Sequence, residues 1–330
     1  MFNSKQIAVL ALVVLISGAV GFISARNLFA EKAEVAVGPE EGSYENRLGG
    51  FKFINPLLEC NVDQSIGGRE YKQLEKKLTD FLDESKRLGQ ISDASVYFRS
   101  LNNGPWFGVN EKADFSPASL LKLPVMMAYY KEAEHDLSLL NEEIQFDGDG
   151  IVLEQNITSG RTLEKGKKYS VEDLISYMIT DSDNSSLELL EKRMGEKKIN
   201  QVTYDLGITT AAETTPEDYM SVKEYSALFR VLYNASYLNH VYSEKALAIL
   251  SKSTFNQGLV SGIPREVRVA HKMGERELQN GIRQLHDCGI VYLENHPYLL
   301  CIMTRGYDFE KLSKIISMIS SQVYSEMTKE

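Results

Sequence analysis

The strand-forming stretches of this chain fall into two groups separated by about 130 residues of helical pattern, which excludes most ways of building a sheet. Ser95–Arg99 and Trp106–Val109 flank Asn103-Gly104, the pairing expected of a tight hairpin. The later group comprises Val267–Val269, Gly289–Leu293 and Tyr298–Thr304, the last two joined by a turn at Glu294–Pro297. A helix is predicted over Arg69–Leu88, with Leu74, Leu78, Phe81, Leu82 and Leu88 on one face, and a final helix carries Phe309, Leu312, Ile316, Ile319 and Val323. Between the strand groups, Ser170 and Asp173 form a capping box ahead of Val171–Ile179, another helix covers Ser186–Arg193, and Thr215-Pro216 opens a third with proline at its tolerated first position. Strands and helices do not alternate as a parallel sheet requires. The pattern predicts a mixed α/β (α+β) fold: an antiparallel sheet flanked by N- and C-terminal helices, plus an all-helical lobe over about 119–264.

The first 30 residues are of different material. Ile7–Ala25 is 19 residues without a charge. As a helix it spans roughly 28 Å, close to the hydrocarbon thickness of a bilayer. A cleaved signal would be shorter and end in a small-x-small site, whereas Leu28-Phe29-Ala30 begins with a large residue. An N-terminal transmembrane helix over residues 1–30 is therefore expected, with a cleaved secretory signal as the alternative, making the protein a single-pass membrane protein with its bulk outside the cytoplasm. Residues 31–65 read as a tether and packing segment, free of apolar periodicity to about residue 50 and apolar again over Phe51–Cys60; residues 66–330 read as the folded domain. With 43% hydrophobic residues the chain can bury a core, and a net charge of −10 argues against a nucleic-acid partner. Cys60, Cys288 and Cys301 form no CxxC pair and the histidines no HExxH, so neither a metal nor another cofactor is expected. Cys288 and Cys301 fall on adjacent predicted strands and are expected as two buried thiols, with a disulfide as the alternative.

Three short motifs carry chemistry. Ser119 and Lys122 stand at i and i+3 at the start of an amphipathic helix, so one face presents a hydroxyl and an amine that can deprotonate it once burial lowers the amine pKa. The helix N-terminus also favours developing negative charge. Chance supplies about one or two S-x-x-K strings in such a chain, so the pair alone decides little. Ser182-Asp183-Asn184 follows at the end of a helix; its plain reading is an N-cap, its chemical one a hydroxyl relay and an amide donor. Lys272-Met273-Gly274 lies on the first late strand, where a lysine either blunts a sheet edge or faces a site, and the glycine would let a substrate backbone approach.

In this order, and with the surrounding Phe115–Pro124, Thr214-Thr215-Pro216, Ser261–Pro264 and His286–Val291, the S-x-x-K, S-D-N and K-x-G motifs resemble the class A β-lactamases and penicillin-binding proteins over roughly residues 66–328. The resemblance implies that Ser119 attacks a strained cyclic amide or a D-alanyl peptide, with Lys122 as base and Ser182 as proton relay to the leaving nitrogen. It implies that Asn184 binds the substrate amide, that Lys272 holds Ser182 and attracts a substrate carboxylate, and that the backbone N–H groups of Ser119 and Glu275, beside Gly274, form the oxyanion hole. No obligate protein partner is implied.

Two departures bear on the activity. Met273 stands where the family has a hydroxyl that helps bind the substrate carboxylate, and methionine cannot donate that bond. No E-x-x-L-N string supplies a glutamate for the deacylating water; the chain runs from Leu206 through Glu213 into Pro216, and Glu213 and Glu217 are expected on a solvated loop and at a helix start. The expected function is a membrane-anchored β-lactam hydrolase. The alternatives are a D,D-peptidase-like enzyme that deacylates slowly, and a non-catalytic envelope binder.

Overall fold

The computed structural model describes residues 44–61, 71–102, 104–148, 156–157, 160–209, 216–278 and 280–329. The apolar run 7–25, residues 31–43, Glu213 and Thr215 lie outside them. Among the described residues no helix is long and apolar enough to cross a membrane.

Eight α-helices run along the described chain: α1 (Lys72–Arg87), α2 (Lys122–Ala133), α3 (Val171–Thr180), α4 (Asn184–Met194), α5 (Glu196–Asp205), α6 (Val222–Tyr233), α7 (His240–Leu250) and α8 (Phe309–Met327). The strands are β1 (Tyr44–Arg47), β2 (Leu57–Asn61), β3 (Asp93–Ser100), β4 (Trp106–Val109), β5 (Asp114–Phe115), β6 (Glu143–Gln145), β7 (Lys168–Ser170), β8 (Met220–Ser221), β9 (Val269–Glu277), β10 (Arg283–Val291) and β11 (Tyr298–Gly306). The main sheet has the order β4-β3-β11-β10-β9 and is antiparallel throughout. Both ends of the chain thus contribute neighbouring central strands, as the split strand pattern requires.

Side-chain alternation divides the core in two. Val96, Phe98, Leu300 and Ile302 join Leu74, Leu78, Leu312, Ile316 and Ile319 behind the sheet, under α1 and α8. Tyr97, Leu299, Cys301 and Met303 join Val125, Met126, Leu174, Leu228 and Leu232 on the other face, where α2–α7 pack. The predicted hairpin forms, with Gly104 at φ +87° supplying the left-handed turn. The capping box at Ser170 and Asp173 is present.

Several expectations are corrected. The lobe is not all-helical: it also holds the strand pair β6–β7 and strand β8, which pairs with β5 just ahead of the lobe. The helix expected to open at Thr215-Pro216 begins at Val222, where Ser221 and Glu224 make a second capping box; an S-x-x-E signal outweighs a proline that merely permits a first turn. Residues 44–47 are not tether, because β1 pairs with β2, and the next segment is fixed to α6 and α7: Asn55 N donates to Tyr233 O, and Phe53 N and Ile54 N donate to the Glu244 carboxylate. Strand β10 extends to Arg283 through Gln284, His286 and Asp287, polar residues that hid it from an apolar count. Cys288 and Cys301 are not free thiols. They face each other in register, with Cα atoms 4.0 Å apart, and form a disulfide.

Candidate active site

The nucleophile candidate is delivered by a 3-10 turn, Ala118–Leu121, that runs directly into α2. Its approach is fixed from the sheet. Ser116 N donates to Gln284 Oε1 at 3.0 Å, and His286 Nε2 donates to Ser116 O at 2.9 Å while its Nδ1 accepts from Thr304 N. Burial holds His286 near about 4, so this neutral tautomer persists at physiological pH. Tyr225 Oη donates to Leu120 O from α6. Ala118, the residue before Ser119, sits at φ +48°, an uncommon conformation for a side-chain-bearing residue and one that is costly to hold.

One turn on, Lys122 is buried, and its Nζ gathers the site. Four oxygens lie within its hydrogen-bond reach and share its N–H groups: Ser119 Oγ at 3.1 Å, Asn184 Oδ1 at 2.7 Å, Ser182 Oγ at 3.2 Å and the Ser182 carbonyl. Burial brings its pKa down to about 8, against the pull of the Asp183, Glu275 and Glu191 carboxylates. The second motif occupies the break between α3 and α4. Asp183 caps α4 through Ser186 N at 2.6 Å, so the capping reading is correct for that residue, while Ser182 takes φ +55° and turns its hydroxyl inward. From the sheet, Lys272 Nζ donates to the same Ser182 Oγ at 2.9 Å and to Met273 O. Burial and the neighbouring Lys122 push Lys272 well below the ordinary lysine range. A single hydroxyl therefore bridges two buried amines that cannot both keep a full charge cheaply, a geometry suited to passing a proton.

Ser119, Lys122, Asn184 and Glu275 line one cavity of about 500 Å³. Gly274 does not. A Cβ there would lie 2.9 Å from Leu120 Cγ and 3.1 Å from Pro117 O, so the glycine admits the nucleophile-bearing turn rather than a substrate backbone. Met273 is buried in the cluster behind the sheet with Phe255 and Leu259. Among the described residues no group of three or more His, Cys, Asp or Glu is placed to hold a metal ion.

A family model for the β-lactamase enzyme family matches residues 73–327. The chain belongs to that family. Beta-lactamase VEB-1 of Pseudomonas aeruginosa is 22% identical over 240 residues, which is 67% of this chain and 78% of that protein. The structure of PBP-A superposes with a TM-score of 0.67 at 23% identity, covering 78% of this chain and 97% of PBP-A. The β-lactamase from Sphaerobacter thermophilus gives 0.65 at 19% identity, covering 77% and 98%. At such identities these superpositions establish the shared fold.

In this β-lactamase-family cleft the sequence motifs missed several side chains. Asn156, Leu187, Glu191, Arg276 and Glu277 share the cavity wall. The Glu275 carboxylate accepts from Ile157 N at 3.1 Å and from Asn156, so its side chain fixes the opposite rim, while only its backbone N–H had been singled out. Behind Lys272, His271 Nδ1 and Asp287 Oδ1 meet at 2.8 Å in full burial, and Asp287 Oδ2 accepts from Leu259 N. The adjacency of His271 to Lys272 was visible in the chain; its pairing with Asp287 depends on strand register.

Proposed function

We propose that the chain is a serine hydrolase that opens a β-lactam-type amide through an acyl-enzyme on Ser119. The observation that carries this reading is the 3.1 Å contact from Lys122 Nζ to Ser119 Oγ, made by a buried amine held near about 8. The neutral amine takes the Ser119 proton as Oγ attacks the carbonyl carbon. The N–H groups of Ser119 and Glu275 receive the oxyanion; each such donor is worth about 3 kcal/mol in the transition state. The proton then travels from Lys122 through Ser182, held by Lys272, to the leaving nitrogen as the C–N bond breaks. Asn184 orients the substrate amide, and water hydrolyses the ester.

A second reading has its own support. Met273 is turned away from the cavity and the chain lacks an E-x-x-L-N string. PBP-A, one of the structural neighbours, has a variant solved as an acyl-enzyme complex with penicillin G. On this reading the chain acylates and deacylates slowly, as a D,D-peptidase acting on peptidoglycan stem peptides would. Intact mass after mixing with penicillin, followed over time, tests both. Growth and decay of one adduct, abolished by Ser119→Ala with at least ~10⁴-fold loss of turnover, supports the hydrolase. A stable adduct supports the second reading, and no adduct on Ser119 sinks both.

We also propose that residues 7–25 anchor the enzyme with its catalytic domain outside the cytoplasm. The 19-residue uncharged run supports this, as does a core disulfide suited to an oxidising compartment. Resistance of the chain to alkaline extraction, together with cleavage by protease added to intact cells, checks it; a freely released chain contradicts the anchor.

A further inference from the structure

Release of an acyl group from a serine needs a base to take the proton of the attacking water. Lys122 is poorly suited to that second task, because below about 8 it carries a proton of its own. Three carboxylates line the cavity with Ser119: Glu191, Glu275 and Glu277. Two of them are engaged elsewhere. Glu275 accepts from Ile157 N and Asn156 on the far rim, and Glu277 accepts from Arg283 Nη2 at 3.2 Å. The Glu191 carboxylate is engaged in no hydrogen bond or ion pair among the described residues.

The fold turns this carboxylate toward the reacting groups. Asn184 and Glu191 stand seven residues apart on one face of α4, and helical side chains lean toward the N-terminus, here toward Asn184 and the Lys122 Nζ that it binds at 2.7 Å. Glu191 and Lys122 are close enough for each to bias the other's protonation. Glu191 and Leu121 also line a second cavity of about 330 Å³ against α2 and α5, whose wall carries the polar side chains Asn200 and Thr203. A group that lines both spaces can draw water from one while the acyl group occupies the other.

From this placement we propose that Glu191 is the general base for deacylation, taking a proton from a water on the α2–α5 side as the water oxygen bonds to the acyl carbon. The bond from that carbon to Ser119 Oγ then breaks, Oγ takes a proton from the Lys122 ammonium, and the substrate leaves as a carboxylic acid. The Glu191 proton returns to Lys122. The inference rests on the acyl-enzyme reading above and assigns the step that reading leaves to water alone. The base stands on α4, in a chain that has no E-x-x-L-N string. Burial and the neighbouring Glu196 raise the Glu191 carboxylate above its ordinary value, with Glu188 adding to this and Lys122 opposing it, which makes it a stronger base that is still ionised near neutrality. Across the cavity it faces Glu275, Arg276 and Glu277.

The full chain is mixed with penicillin and the Ser119 adduct is followed by intact mass, with formation and decay rates fitted separately. Glu191→Gln is expected to slow decay by ~10²-fold or more. Formation should not slow in step, because removing a carboxylate that stabilises the Lys122 ammonium favours the free amine. Decay in the wild type should fall on acidification as Glu191 takes up a proton, and that limb should vanish in Glu191→Gln, which a merely structural role would not produce. The assignment is overturned if the wild-type adduct does not decay, or if Glu191→Gln decays as fast as the wild type, keeps the acid limb, or slows formation and decay alike. It is equally overturned if Glu275→Gln alone slows decay, which moves the base to the sheet rim. Absence of any Ser119 adduct refutes the acyl-enzyme reading itself, a result distinct from all of these.

Discussion

The two walls of the cleft are built on different principles. The helical wall places Ser119 and Lys122 by local spacing at the start of α2, and Ser182 and Asn184 by the break between α3 and α4, with Asp183 capping the second of these helices. Here lie two non-glycine residues in left-handed conformation, Ala118 and Ser182. The sheet wall places Lys272, Gly274 and Glu275 by register alone. Lys272 faces Cys288, one half of the core disulfide, and Met273 faces Asp287, which is tied to His271. Two of the five such residues among those described thus flank the candidate reacting groups, and a frame fixed by register stands opposite them. A strained segment persists only when its surroundings over-determine it, and the frame supplies part of that determination through Gln284 and His286 on Ser116. Mutations in the two walls are therefore expected to differ in kind: those in the helical wall remove chemistry, and those in the sheet wall alter geometry.

The largest expected effect is at Lys122. Lys122→Met removes the proposed base and is expected to lower the acylation rate by ~10³-fold, read by rapid mixing with a chromogenic cephalosporin. In the wild type the base acts unprotonated, so the rate should climb with pH and level off above about 8. A profile that is flat across that range removes Lys122 from the base role. The same depressed value sets a stability trend. Between about 8 and 10.5 the unfolded amine still holds a proton that the folded one has released, so stability should rise with pH across that window.

The next effect sharpens the contrast. Lys272→Met replaces a buried amine that has two hydrogen-bond acceptors, Ser182 Oγ and Met273 O, with an apolar chain of similar length. Acylation is expected to fall by ~10²-fold, less than for Lys122, because Ser182 keeps its contact with Lys122. Thermal stability should hold or increase, since removing a poorly compensated buried amine relieves its desolvation cost. A loss as deep as that of Lys122→Met would erase the distinction between the walls and make Lys272 an equal partner in proton transfer.

The same contrast explains what could be read from the sequence. The helical wall was legible because its signals are local: Ser119 and Lys122 are three apart, Ser182 and Asn184 two apart, and the capping box at Ser170 announces α3. The sheet wall was legible only in outline. Lys272 stood out as a charge in an apolar run, but strand β10 was read short because Gln284, His286 and Asp287 look like loop residues until their partners across the fold are known. The disulfide was missed in favour of two thiols for the same reason: only strict register brings Cys288 opposite Cys301. Cleft residues such as Asn156 and Glu191 belong to no motif; they reach the cavity through tertiary packing, which spacing in one chain does not encode.

The smallest effect lies where the walls meet. Gly274 has no unusual dihedral, so its requirement is spatial. An alanine methyl would stand 2.9 Å from Leu120 Cγ, 3.1 Å from Pro117 O and 3.3 Å from Leu120 N. The leucine tip can turn aside, but the other two atoms are backbone of the turn that carries Ser119. Gly274→Ala is expected to cost about 1–3 kcal/mol, as overpacked sites do, read as a drop in denaturation midpoint. Because the displaced backbone is that of the proposed nucleophile, acylation should fall too, and the loss should appear in the acylation rate constant rather than in substrate affinity. An enlarging substitution at Met273, equally buried on the same strand but turned toward the rear cluster, should destabilise by a similar amount and leave Ser119 in place. If the two variants lose acylation equally, strand β9 transmits strain along its whole length and the sheet wall is not the rigid partner. If only Gly274→Ala does, the glycine of the third motif exists to seat the serine.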